Sequence, residues 1–61
     1  MKNTEMQRGY DKAMALAGGD TYMYDSSKRI AELAAQDASY ASASNDYKQG
    51  FATAVYSLAR C

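Results

Sequence analysis

Tyr47-Lys48-Gln49-Gly50-Phe51-Ala52-Thr53-Ala54-Val55-Tyr56-Ser57-Leu58 is the stretch on which the fold turns. Tyr47, Phe51, Ala54, Val55 and Leu58 recur at the spacing of one face of an α-helix, with Ser44 or Asn45 placed to cap its start. The same spacing occurs near the other end of the chain, in Met6, Tyr10, Ala13, Met14 and Ala17. Asn3 or Thr4 can cap that helix, and Gly18-Gly19 ends it, since glycine accepts the left-handed backbone after a C-terminus. Gly9-Tyr10-x-x-Ala13-Met14 overlays on Gly50-Phe51-x-x-Ala54-Val55. In each copy a glycine is followed one turn later by alanine, a small-x-x-x-small row that lets helix backbones approach closely. A glycine inside a helix costs about 1 kcal/mol and usually has a packing reason. Gly9, Ala13, Gly50 and Ala54, with Phe51 beside them, are therefore assigned to helix packing.

The middle of the chain reads as a third helix. Met23, Ile30, Leu33, Ala34 and Ala41 trace one face from about Thr21 to Ala43. Its start is open, because Asp20 or Thr21 can cap it and so can Asp25, Ser26 and Ser27. Asp25 to Arg29 and Lys28 to Glu32 are favourable i, i+4 pairs from residue 25 onward. The serine-rich stretch 39–44 is the weakest joint and the expected turn into the last helix. The predicted architecture is all-α, one domain over 1–61, with helices at about 4–17, 21 or 25 to 43, and 45–60. The long central helix is expected to pack against shorter flanks.

Composition sets the limits of function. The 61 residues include no histidine, no proline, no tryptophan and one cysteine, and seven basic residues balance seven acidic ones. Without histidine, and with the cysteine at the chain end (Cys61), no Ser/His/Asp or Cys/His relay can be assembled. Zinc spacings are absent, and Asp20 and Asp25 lack the calcium-loop pattern, so neither metal nor cofactor is expected. Zero net charge argues against a nucleic-acid binder, which needs surplus Lys and Arg to displace counterions. No apolar run reaches the length of a membrane span, and nothing near Met1 reads as a signal-peptide core. A lone cysteine points to a reducing, cytoplasmic compartment.

The apolar fraction of 48% is mostly alanine and tyrosine; the large aliphatic and Phe positions are Leu16, Ile30, Leu33, Phe51, Val55 and Leu58. So small a core yields about 3–5 kcal/mol, and with no disulfide or metal available, self-association or a partner chain is the expected staple.

Two features suggest where function lies. On a helical wheel Asp37 falls within the Ile30/Leu33/Ala34/Ala41 stripe. There it is either satisfied by a tyrosine, a serine, Arg8 or Arg29, or it meets a donor on another chain. Tyrosine is dense, six in 61 residues, and couples large contact area with a hydroxyl. Tyr10 and Tyr47 lie on core stripes, whereas Tyr22, Tyr24, Tyr40 and Tyr56, together with Asp37, are the candidate partner-binding residues. Tyr56 is expected on the polar face of the last helix with Gln49, Thr53 and Arg60. Residues 20–46 carry five acidic side chains against Lys28 and Arg29, a balance of −3 offset by +3 in the flanks. That segment suits a basic groove such as a nuclease channel.

Tyr47-x-x-Gly50-Phe51-x-x-Ala54-Val55, after the Asn45-Asp46 cap, resembles a short helical motif of small bacteriophage and prophage accessory proteins. The resemblance implies a non-enzymatic module that occupies the surface of a host defence or nucleic-acid-processing complex in the bacterial cytoplasm, as anti-CRISPR proteins do. It carries no site residues over. The alternatives are a self-assembling structural protein, an oligomer that sequesters a small ligand between subunits, and a nucleic-acid accessory protein using Lys2, Arg8, Lys12, Lys48 and Arg60.

Overall fold

The computed structural model describes residues 4–60; Asn3 as a cap, Lys2 and Cys61 lie outside them. Three helices follow one another: α1 over Thr4–Ala17, α2 over Ser26–Ala35 and α3 over Asn45–Leu58. No helix among the described residues is long and apolar enough to cross a membrane.

The largest helix contact is between α1 and α3. Gly9 and Gly50 bring these helices together. A Cβ added to Gly9 would lie 1.9 Å from the Tyr47 carbonyl oxygen, and one added to Gly50 would lie 1.9 Å from that of Met6. Cα–Cβ bonds tilt toward a helix N-terminus. Each glycine thus meets the turn preceding the other, the symmetric pattern expected when Gly9 faces Gly50 and both helices point the same way. The far ends agree: just beyond α1, the Tyr22 N–H donates to Leu58 O (3.2 Å) and the Arg60 N–H donates to Tyr22 O (2.7 Å). The two repeats noted in the sequence are the two faces of one contact, and Ala13 and Ala54 are fully buried along it.

Two parallel neighbours require a return segment, which α2 and its flanking turns supply. Gly18 and Gly19 adopt φ of +63° and +79°, the left-handed conformation that turns the chain out of α1. Asp25 then caps α2, accepting from the Ser27 N–H at 2.8 Å. Of the two predicted starts, the later one is adopted.

The end of α2 departs from expectation. A helix over 21–43 would run about 34 Å, longer than the molecule's greatest extent of 31 Å. Instead α2 stops at Ala35 and is the shortest helix, with successive turns through 36–44 closed by bonds such as Tyr40 N–H to Asp37 O (3.1 Å) and Ala43 N–H to Tyr40 O (3.1 Å). Ser44 caps α3 by accepting from the Tyr47 N–H, and α3 ends at Leu58 rather than Arg60.

Phe51, Leu33 and Val55 are the largest fully buried side chains, surrounded by alanines and by Tyr22 and Tyr47. Tyr40 packs edge-on against Phe51, ring centroids 4.9 Å apart, and Lys48 Nζ sits 5.6 Å over the Tyr40 ring. Tyrosine rings thus fill volume that leucines would ordinarily fill.

Candidate functional site

Asp37 is the only buried acidic or basic residue described, 5% exposed, and it lies in the turn after α2 rather than on a helical stripe. Its Oδ1 accepts from the Ser39 N–H (3.0 Å) and the Ser39 hydroxyl (2.8 Å), and its Oδ2 accepts from the Tyr47 hydroxyl (2.5 Å). Aspartate side chains that bond the backbone two residues on compete with helix formation, which is how this residue helps end α2. The carboxylate is satisfied by a tyrosine and a serine, as one of the two readings required. As a partner-contact residue Asp37 is corrected: it is enclosed and fully engaged.

Burial pushes the Asp37 carboxyl up, but the hydrogen bonds from Tyr47 and Ser39 outweigh it and leave the group below its ordinary value. Burial, then the bond to Asp37, raises the Tyr47 hydroxyl. A depressed carboxyl contributes stability above its unfolded value and loses it as the pH falls through the folded one. A raised phenol contributes below its unfolded value and loses it as the pH climbs through the folded one. Stability should therefore plateau between about pH 4 and pH 10, the ordinary Asp and Tyr values, and fall on both sides. Tyr47→Phe should cost about 1.5–3 kcal/mol at neutral pH, the range for a hydrogen bond to a charged group. It should also flatten the fall in stability on the acid side, because without that bond the folded Asp37 lies nearer its unfolded value; an acid side as steep as in wild type would show that the Asp37–Tyr47 bond does not set it.

The tyrosines divide sharply. Tyr22 is 6% exposed; its hydroxyl donates to Val55 O (3.1 Å) and shares a 2.7 Å hydrogen bond with Ser26 Oγ, so its assignment to a contact surface is also corrected. It locks the strap after α1 onto the end of α3. Tyr40 is half-buried on Phe51. Tyr24 and Tyr56 are 44% and 57% exposed, and Met23, which the sequence placed on a core stripe, is 77% exposed.

Tyr24 stands edge-on to Tyr22 (5.2 Å) and donates to Glu32, which also pairs with Arg29 at 3.2 Å. The Tyr24 bond, then the Arg29 bond, lowers Glu32, and the Glu32 bond raises Tyr24. Arg29 therefore pairs with Glu32 and not with Asp25, which is occupied as the α2 cap. The result is an exposed ledge of the chain: Met23 is uncovered, and Tyr24, the next residue, is held by Tyr22 and Glu32. The periodicity of Met23 with Ile30 hid this, because Met23 precedes the helix. No group of three or more His, Cys, Asp or Glu side chains suited to a metal ion occurs among the described residues. Comparison with protein-family models, with curated protein sequences and with solved structures returns no match.

Proposed function

We propose that this chain is a non-enzymatic protein-binding module that acts by covering part of another protein's surface. The observation that carries this reading is the Met23–Tyr24 ledge. A chain short of large apolar side chains leaves Met23 and two tyrosines outside while filling its core with alanine. Exposed Met and Tyr combine broad contact area with few polar groups to desolvate, as at the centre of protein interfaces.

Asp20, Asp25 and Glu32 are exposed in the same segment, which favours a partner surface that is basic around an apolar patch. Host complexes that hold nucleic acid offer such surfaces, and the likeness to small phage accessory proteins supports an inhibitor of that kind, acting in the bacterial cytoplasm. Self-association through the same exposed side chains is the alternative.

Sedimentation of the purified chain, followed by capture from bacterial lysate with wild type, Tyr24→Ala and Tyr56→Ala, tests the reading. Helicity should be unchanged in both variants. A specific host protein should be recovered by the wild type and lost with Tyr24→Ala, at a cost of about 1–3 kcal/mol in affinity. Retention of the partner by both variants would remove these tyrosines from the interface. A defined homo-oligomer with no captured protein would favour self-assembly.

A further inference from the structure

A second feature lies beside the Asp37 network, on residues that share none with the Met23–Tyr24 ledge. Arg8, Asp11, Lys12, Ser39 and Tyr47 line an open cleft of about 410 Å³. Its lining carries both acceptors and donors. Tyr47 and Ser39 each spend their one hydroxyl hydrogen on Asp37. Their oxygens are therefore left with lone pairs alone for a further partner, and a buried carboxylate holds them in place. Asp11 adds a carboxylate from α1, one of its oxygens accepting from Gln7 Nε2 at 2.9 Å.

Two of the lining side chains, Arg8 and Lys12, are donors only. Arg8 and Lys12 stand one turn apart on α1, so their side chains emerge as neighbours on one face. Arg8 uses one terminal nitrogen on Glu5 (3.0 Å), in a pair that is largely exposed, and keeps its other N–H groups. Lys12 forms no ion pair among the described residues, although its charge is felt by Asp37.

Counting Asp37, held by Tyr47 and Ser39, the cleft brings together two cations and two anions. A simple anion would meet Arg8 and Lys12 but crowd the carboxylates, and a simple cation would do the reverse. A small molecule that carries both an N–H donor cation and an anionic group satisfies both. We propose that this cleft binds a small zwitterion of the amino-acid type, its ammonium group on the Tyr47, Ser39 and Asp11 oxygens and its carboxylate between Arg8 and Lys12. The cleft is separate from the Met23–Tyr24 ledge, and this assignment does not depend on the docking role.

Titration of the full chain with L-alanine, followed by amide NMR, tests it. Saturable shifts are expected at Arg8–Lys12 and Ser39. Lys12→Gln, an exposed substitution whose retained helicity is checked by circular dichroism, should weaken binding by about tenfold, as loss of one charge-assisted hydrogen bond does. Glycine betaine carries the same charges without N–H donors and should bind more weakly than alanine. Absence of saturable shifts with alanine would overturn the proposal. So would equal shifts with acetate alone, equal binding of betaine, or an unaltered affinity in Lys12→Gln.

Discussion

Gly50→Ala should abolish the cooperative fold at room temperature, and Gly9→Ala should do the same. In an ordinary helix this change gains about 1 kcal/mol. Here the new methyl would stand 1.9 Å from a carbonyl oxygen of the facing helix, the Met6 oxygen for Gly50 and the Tyr47 oxygen for Gly9. Both obstacles are backbone, with no side chain that can swing aside. The helices must separate along the whole Gly9/Ala13–Gly50/Ala54 seam, and that opens the buried core behind it. Overpacking of a well-filled interior costs about 1–3 kcal/mol and sometimes more. Against a total of about 3–5 kcal/mol for so small a core, the loss should appear as a collapse of helical circular dichroism. A melting temperature equal to or above wild type in either variant would show that α1 and α3 do not approach as described. Gly18→Ala and Gly19→Ala make a useful contrast: nothing lies within 4 Å of either added Cβ, and only the positive φ opposes the change. Their effects should be milder.

Phe51→Ala should be comparably damaging for a different reason. Phe51 is fully buried and touches Tyr40 at 4.9 Å and Tyr47 at 6.5 Å between ring centroids. Removing its ring leaves a cavity among alanines too short to refill it, at a cost of about 3–5 kcal/mol. The loss also withdraws the surface on which Tyr40 rests, and so loosens the turns that carry Asp37. Denaturant unfolding of Phe51→Ala should show little or no native baseline, while Phe51→Leu should keep a measurable one. A Phe51→Ala protein within about 1 kcal/mol of wild type would place the core elsewhere.

Much of this was legible in the residues. Alanine content, the absence of proline and the two matched stripes fix α1 and α3, and Gly18-Gly19 marks where α1 ends. The packing role of Gly9 and Gly50 follows from the cost of a glycine inside a helix. That the two rows would face one another did not follow, since the central segment also carries small residues four apart, at Ala31 and Ala35 and at Ala34 and Ala38. Likewise, Asp25-Ser26-Ser27 announced a cap, but only the strap of Tyr22 along α3 excludes the earlier start.

The surface was harder to read. Tyr22 and Tyr24 sit two apart in one polar stretch, yet one closes the core and the other faces solvent. Alternation in an extended segment turns Met23 away from both, and Tyr24, although its ring meets Tyr22 at 5.2 Å, lies outside Tyr22 at the margin of the core, which only the packing decides. The Arg8–Lys12 cleft has no signature at all, because Ser39 and Tyr47 arrive from other parts of the chain.

Local chemistry thus determined that this protein is helical, where its first and last helices lie, and which small residues permit close approach, because those properties depend on spacing and backbone preference within a few turns. Only the tertiary structure decided that α1 and α3 run side by side in the same direction, and therefore that the chain between them must fit within their length. That constraint cuts α2 short at Ala35, draws Asp37 inward to Tyr47 and Ser39, and leaves Met23 and Tyr24 in the solvent.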